Sequence, residues 1–245
     1  MTRIALVIPC FNEAARLPRD SVRELLGDGD LELILVDDGS TDGTREVLES
    51  LLAEAGERVT VLALPANRGK AEAVRQGLVS ALDRADIVGY ADADFATPAD
   101  EILRLAGAIR SSGADAVLGS RVAVLGAHIE RNPLRHYLGR VFATGASTVL
   151  RRPVYDTQCG AKLLRVTGAL RAALARPFRS RWAFDVELLG RLWAADPSCE
   201  VIEVPLRRWR DVGGSKIGPV AMARAGLELL LIAGDLRRAR RAGPR

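Results

Sequence analysis

Five short, β-branched apolar runs alternate with stretches of helical period along the first half of the chain, and that order leaves few folds open. Residues 3–9, 31–36, 59–64, 87–91 and 116–119 read as strands, and residues 13–26, 41–55, 70–82 and 98–111 as helices. Pro9 closes the first run, Thr41 and Asp42 offer cap oxygens to the second helix, and Pro98 starts the fourth. Such alternation gives an α/β domain with a mostly parallel central sheet and helices on both faces. Ligands of these sheets sit in the crevice at the carboxyl ends of the strands. Residues 9–13, Asp37-Asp38 and Asp92-Ala93-Asp94 therefore share one edge.

Asp92-Ala93-Asp94 directly follows the fourth apolar run. In extended chain, residues i and i+2 point the same way, so the two carboxylates can converge on one hard cation. Mg²⁺ or Mn²⁺ held by few carboxylates completes its shell with phosphate oxygens, and a metal-bound diphosphate is a leaving group. Alone the motif is short, and its commoner use is in solvated turns and caps. No Gly-x-Gly-x-x-Gly follows the first strand and no Gly-x-x-x-x-Gly-Lys-Ser/Thr occurs, so dinucleotide-binding and P-loop readings lose their main support.

With 245 residues, 48% hydrophobic and 27% charged, the chain suits one large soluble domain. Aromatics make up only 4%, which argues against rows of stacked bases and hence against nucleic acid as a partner. The net charge of +4 is unevenly placed, with basic residues gathered over 131–152, 207–210 and 237–245, a pattern that suits an anionic ligand or membrane surface. Cys10, Cys159 and Cys199 are unpaired by spacing and fit reduced thiols, which with no signal peptide ahead of the first strand predicts a cytoplasmic protein, peripheral on the cytoplasmic membrane face if it meets membrane. No apolar stretch reaches the roughly 18–20 residues a spanning helix needs.

Beyond Arg121 the alternation stops. Residues 131–151 look helical, 156–162 a polar loop, 167–174 and 182–193 helical, 201–209 a strand and 218–240 a long final helix, with 242–245 disordered. In that helix Arg224, Glu228 and Asp235 fall on one side, and Val220, Leu227, Leu230 and Leu231 fill much of the rest. The helix is expected to be amphipathic and to lie on a membrane interface or pack in the core or in a homodimer. The chain divides on this reading into a domain over 1–214, with halves at 1–121 and 122–214, and a helix with a basic tail over 215–241.

The segments Ile8-Pro9-Cys10-Phe11-Asn12-Glu13, Val36-Asp37-Asp38-Gly39-Ser40-Thr41-Asp42, Asn67-Arg68-Gly69-Lys70 and Asp92-Ala93-Asp94 occur in this order and at usual spacing, and as a set they resemble the inverting family 2 glycosyltransferases of the Rossmann-like GT-A fold. Asp156-Thr157-Gln158-Cys159-Gly160, with Gly119-Ser120-Arg121 before it and Trp182-Ala183-Phe184-Asp185 after it, is similar to the polyprenyl-phosphate branch, in particular dolichyl-phosphate β-glucosyltransferases and, less closely, dolichyl-phosphate mannose synthases. Ala96 stands where the mannose synthases place a Gln, and Ala71 replaces a Gly frequent after Asn-Arg-Gly-Lys.

The resemblance implies a nucleotide-sugar donor bound by Pro9, Phe11, Glu13, Asp37 or Asp38, Arg68, Lys70, Asp92 and Ala93, and Mg²⁺ or Mn²⁺ on Asp94 with Asp92. A helix-capping turn for Asp37 and a solvated loop for Arg68 and Lys70 are the plain alternatives. Catalysis falls to Asp94, Asp185, Arg121 and Arg135. Arg121, Arg131, Arg135 and Gln158 would take the phosphate of a polyprenyl lipid, guanidinium groups being suited to a two-bond grip on it. Arg131 and Arg135, four apart on a predicted helix, share a face, which is otherwise a solvated basic one. A phosphate nucleophile has a second pKa of about 6 and needs no general base, so Asp185 is expected to orient the acceptor or the basic cluster, or to serve simply as a carboxylate at a helix start. The reaction implied is inverting transfer of a hexose, glucose from UDP-glucose first and mannose from GDP-mannose second, to a polyprenyl phosphate. A UDP-sugar transferase with a soluble hydroxyl acceptor, a non-catalytic sugar-nucleotide-binding protein and a nucleotidyltransferase, whose Gly-rich Arg/Lys signature is absent, are the competing readings.

Overall fold

The computed structural model describes residues 2–130, 133–212 and 219–242, with the side chains of 133–136, 219–223 and 240–242 left aside. The strands β1 (Ile4–Cys10), β2 (Leu31–Asp37), β3 (Val59–Ala63), β4 (Ile87–Ala91) and β5 (Ala116–Ser120) fall where the apolar runs place them. They belong to a seven-stranded sheet of order β3-β2-β1-β4-β7-β5-β8, completed by β7 (Ala161–Arg165) and β8 (Val201–Pro205). Neighbouring strands are parallel except around β7, which runs antiparallel to both β4 and β5. A two-stranded ribbon of β6 (His128–Glu130) and β9 (Arg208–Arg210) stands beside it.

The helices are α1 (Arg19–Leu25), α2 (Thr44–Ala55), α3 (Lys70–Ala81), α4 (Ala99–Ser112), α5 (Pro133–Leu150), α6 (Gly168–Leu174), α7 (Phe184–Ala195) and α8 (Pro219–Ala242). Because successive side chains of a strand face opposite ways, β1 serves two cores. Leu6 and Ile8 join Val22 of α1, Leu48 of α2 and Leu105 of α4, while Ala5 and Val7 join Val74 and Leu78 of α3 and the layer built from α5 to α8.

Three expected elements are corrected. The first helix begins at Arg19, not near Glu13, because Pro18 holds extended backbone at its N-cap and residues 13–17 form turns instead. Glu13 therefore stays on the strand-end edge. The run 201–209 is two strands, since Leu206 N–H donates to Ser120 O (2.9 Å) and Arg207 N–H to Glu101 (3.0 Å), which turns the chain out of the sheet. The end of the expected polar loop over 156–162, Ala161 and Lys162, opens β7, a strand with one buried lysine, Lys162, at its second position.

The final helix is present, but its faces are not those of a simple amphipathic helix. Ala225, Leu229, Ile232 and Leu236 are buried against α5 and α7, with Leu229 against Gly145 and Leu236 against Gly190. Glu228 and Asp235 point to the protein as well, Glu228 taking the Trp182 (3.1 Å) and Ala183 (2.9 Å) N–H groups and Asp235 the Arg179 guanidinium (2.8 Å). Leu227, Leu230 and Leu231 are left exposed. Among the described residues no helix is long and apolar enough to cross a membrane. Residues 213–218, which hold the expected domain boundary, and 243–245 lie outside the described residues.

The close fit of β7 against β4 can be tested at Gly89. A Cβ there would stand 2.5 Å from the Lys162 carbonyl oxygen, a backbone atom that cannot swing aside. Gly89→Ala is expected to cost about 1–3 kcal/mol of stability, read as a lower urea midpoint.

Candidate active site

The carboxyl ends of β1, β2, β4 and β5 carry the chemistry-bearing residues onto one edge. Two cavities open there. The smaller, about 320 Å³, is lined by Pro9, Phe11, Glu13, Asp38 and Ala93 among others, and the larger, about 430 Å³, by Arg121, Gln158, Arg181, Trp182 and Asp185 among others. Lys70, Asp92 and Asp94 line both, so the two spaces meet at the carboxylate pair.

Local structure explains each position. The Asp38 carboxylate accepts the N–H groups of Arg68 (2.7 Å) and Gly69 (2.8 Å), which folds residues 67–69 over the end of β2. Gly39, at φ 69°, lets that loop approach, since a Cβ there would stand 2.6 Å from backbone atoms of Ala66 and Asn67. Asn12 (φ 54°) and Phe95 (φ 48°) hold left-handed backbone on the same edge, Asn12 accepting from Thr41 N–H at 2.9 Å. Glu13 donates its N–H to Thr44 (2.8 Å) and pairs with Arg16 (2.8 Å). Burial, opposed by Arg16, holds its carboxyl above the ordinary glutamate value.

Asp92 is fixed from two sides. Its N–H donates to Gly160 O (3.0 Å), and its carboxylate meets the Lys70 ammonium at 2.5 Å. Gly160 lies against that carboxylate so closely that any Cβ would overlap it. Asp94 accepts from Ala96 N–H (3.0 Å), and burial, together with the neighbouring Asp92, pushes its carboxyl above the usual aspartate range. Burial pulls the Lys70 ammonium down, but Asp92 and Asp185 outweigh it and hold the group above the ordinary lysine value.

Behind the larger cavity, Asp185, which the sequence singles out, is held by two buried residues that it does not, Lys162 and Tyr90. Lys162, fully buried, lies opposite Tyr90 in the β4–β7 register and meets Asp185 of α7 at 2.6 Å. Tyr90 donates its hydroxyl to the same Asp185 oxygen, and burial followed by Asp185 pushes the phenol well above the usual tyrosine value. Lys162 also donates to Cys159 O. The antiparallel insertion carries this lysine, and no spacing rule over 156–162 announces it.

Not every expected residue faces the cavities. Asp37, buried at the end of β2, accepts from Ser40 N–H (2.9 Å) and Arg45 (3.3 Å), the turn-capping arrangement, and is absent from both linings. Arg68 is exposed and contributes its backbone N–H. Arg121 lines the larger cavity over the Trp209 ring (5.2 Å), but its fork is already closed on Asp156 by two bonds of 2.7 Å. Gln158 and Thr157 line the same cavity with Nε2 and Oγ1 buried and unpartnered. Arg131 lies outside the described residues, and Arg135 is placed on α5 by its backbone alone.

The Arg121–Asp156 pair gives a pH prediction. Burial raises the Asp156 carboxyl, Arg121 more than offsets it, and the folded value lies below the ordinary one. A depressed carboxyl contributes stability that is present above the unfolded value, about 3.9, and lost as pH falls through the folded value. Arg121→Met leaves Asp156 buried without its cation, so stability at neutral pH should fall by about 3–5 kcal/mol. With the carboxyl now raised by burial, the loss should shrink as pH is lowered from 7 to 5, a range over which the wild-type pair contributes in full, as read by urea midpoints.

The family model for glycosyl transferase family 2 matches residues 5–170. A dolichyl-phosphate beta-glucosyltransferase of Drosophila melanogaster is 33% identical over 258 residues, covering 94% of this chain and 74% of the relative. Another from Trichomonas vaginalis is 35% identical over 207 residues, covering 82% of this chain and 59% of that longer protein. Among solved structures, glucosyl-3-phosphoglycerate synthase from Mycobacterium tuberculosis, in complex with Mn²⁺, UDP and phosphoglyceric acid, superposes with a TM-score of 0.67 at 22% identity, covering 95% of this chain and 79% of that one, and shares the fold. The joined cavities, the paired carboxylates and the ordered motifs thus have their counterpart in sequence: the chain belongs to glycosyl transferase family 2, and most of its length is similar to dolichyl-phosphate beta-glucosyltransferases.

Proposed function

We propose that the protein transfers glucose from UDP-glucose to the phosphate of a polyprenyl lipid such as dolichyl phosphate, with inversion at the anomeric carbon. The observation that carries the proposal is the meeting of two cavities at Lys70, Asp92 and Asp94. In this reading the cavity walled by Pro9, Phe11, Glu13 and Asp38 takes the nucleotide. The other carries cations, carboxylates and aromatic rings together, with Arg121, Arg140, Arg181, Trp182 and Trp209 in its wall. The sugar and lipid in this reading are those in the names of the relatives above.

Asp92 and Asp94 suit a divalent ion, Mg²⁺ or Mn²⁺. Asp94 is held above its ordinary value by burial and by its neighbour, a penalty that a cation relieves. No group of three His, Cys, Asp or Glu is assembled among the described residues, so two carboxylates would hold the ion and leave positions for diphosphate oxygens. When bound, the ion supplies Lewis-acid stabilisation of the departing diphosphate. Lys70, beside Asp92, adds a positive charge at the same point, where charge develops in the transition state. Asp185 keeps the Lys162 ammonium and the Tyr90 hydroxyl in place, and with an acceptor already ionised no proton has to be removed.

The lipid would reach the cavity from a membrane surface. Tyr137 and Val141 on α5 and Leu227, Leu230 and Leu231 on the adjacent α8 expose apolar side chains, and Leu138 and Phe142 of the same α5 line the cavity. The basic run over 237–241 suits anionic headgroups there. On this reading the protein is peripheral, on the cytoplasmic membrane face.

Purified protein incubated with Mg²⁺ or Mn²⁺, UDP-glucose or GDP-mannose and a short polyprenyl phosphate should release UDP and form the lipid-linked glucose. Asp94→Asn should lower turnover by about 100-fold or more without unfolding the chain. Product with a hydroxyl acceptor, and none with any lipid phosphate, would overturn the acceptor assignment.

A further inference from the structure

Four cations line the described part of the larger cavity, and three of them are engaged within the protein. Lys70 is on Asp92 at 2.5 Å. Arg121 has both ends of its fork on Asp156 at 2.7 Å. Arg140 donates to Tyr155 O at 3.0 Å and lies 3.9 Å from the centre of that residue's ring. Arg181 alone, among the described residues of this lining, has neither a carboxylate nor a hydrogen-bond acceptor.

The backbone that carries Arg181 is nonetheless held firmly. Ser180 N–H donates to Glu187 (2.9 Å), and the N–H groups of Trp182 (3.1 Å) and Ala183 (2.9 Å) converge on Glu228, which also accepts the Ser180 hydroxyl. Two carboxylates from α7 and α8 therefore fix residues 180–183 while the guanidinium is left open. Position adds to this. The Arg181 Nε is 3.9 Å from where a Cβ of Gly69 would stand, so the guanidinium reaches the loop that presents Lys70. Trp182 lines the same cavity and packs edge-on against Phe142 at 4.8 Å, giving an apolar wall directly beside the cation.

A phosphate ester carries about −1.5 to −2 charges at neutral pH and has three strong acceptor oxygens. A cation already in a two-bond carboxylate pair offers such a group little without breaking that pair, whereas a free guanidinium breaks no internal bond on binding it and gives up only side-chain rotamer freedom. We propose that Arg181, among the described residues of this lining, receives the acceptor phosphate, with Trp182 and Phe142 taking the first apolar unit of the chain attached to it. The inference rests on the lipid-phosphate reading above and deepens it. It assigns Arg181 to the acceptor and not to the donor diphosphate, because Arg181 lines the larger cavity and is absent from the lining of the smaller one.

The test measures binding, so that it does not depend on turnover. Geranyl phosphate, geraniol and UDP are titrated into wild type, Arg181→Gln and Arg181→Lys, with tryptophan fluorescence as the signal and melting curves to establish that each variant is folded. Arg181→Gln should weaken geranyl phosphate by about tenfold or more, the worth of one charge-assisted contact. UDP should bind within about twofold of wild type, geraniol should bind equally to all three proteins, and Arg181→Lys should recover part of the loss. Equal affinity of wild type and Arg181→Gln for geranyl phosphate, or a loss confined to UDP, would overturn the assignment, as would a wild type that does not bind geranyl phosphate. Wild type that binds geranyl phosphate through Arg181 yet transfers no sugar to it would instead defeat the proposed reaction and leave the binding assignment standing.

Discussion

The contact on which the site depends is the buried ion pair between Lys162 and Asp185. Taking a lysine fully out of water costs several kcal/mol, and only a good partner together with further hydrogen bonds offsets it. Here Asp185 at 2.6 Å, the Tyr90 ring and the Cys159 carbonyl surround the ammonium. The pair joins an antiparallel strand inserted between β4 and β5 to α7, which starts only at Phe184, and so ties that helix to the sheet at this register. The same strand entry sets Gly160 against Asp92, and the Asp92 N–H is bonded to the Gly160 carbonyl. One insertion thus fixes the edge that carries Asp92 and the wall of the larger cavity that carries Asp185 together.

What the sequence discloses follows from this division. The donor edge is legible because alternating strands and helices dictate where strand ends lie, and Pro9, Asp38, Asp92 and Asp94 sit at those ends. The antiparallel β7 is not legible in the same way. It needs no crossover helix, it is five residues long, and its second residue is a lysine that reads as solvated until Asp185 is found above it. The first helix is a milder case. The periodicity over 13–26 is real, but Pro18 interrupts it, and the turn it leaves behind keeps Glu13 beside the smaller cavity. Arg121 shows a limit of another kind: residue type and place on the edge are read correctly, yet its partner, Asp156, lies 35 residues away and is met only in the fold.

The cations of the site fall into two physical classes. Lys70, Arg121 and Lys162 are tied to carboxylates and act as fixed parts of the scaffold, where their charge shapes the field without reaching for a ligand. A ligand phosphate needs something else, a donor whose hydrogen-bonding capacity is unspent in the empty protein. Counting basic residues on the edge therefore overstates the phosphate-binding capacity, and the number of unpaired guanidinium groups is the better guide.

The arrangement around Asp185 bears on the kind of acceptor the site can use. A general base must place a free oxygen within hydrogen-bond reach of the proton it removes. Asp185 Oδ1 is engaged by both the Tyr90 hydroxyl and the Lys162 ammonium, and movement of the carboxylate toward a substrate would leave a fully buried lysine without its counter-charge. Oδ1 is therefore spent on the scaffold, and the second oxygen of Asp185, which lines the cavity, is the one left to face a substrate. In the proposed reaction the acceptor arrives ionised and makes no demand on that oxygen, so the buried pair can stay closed through the transfer.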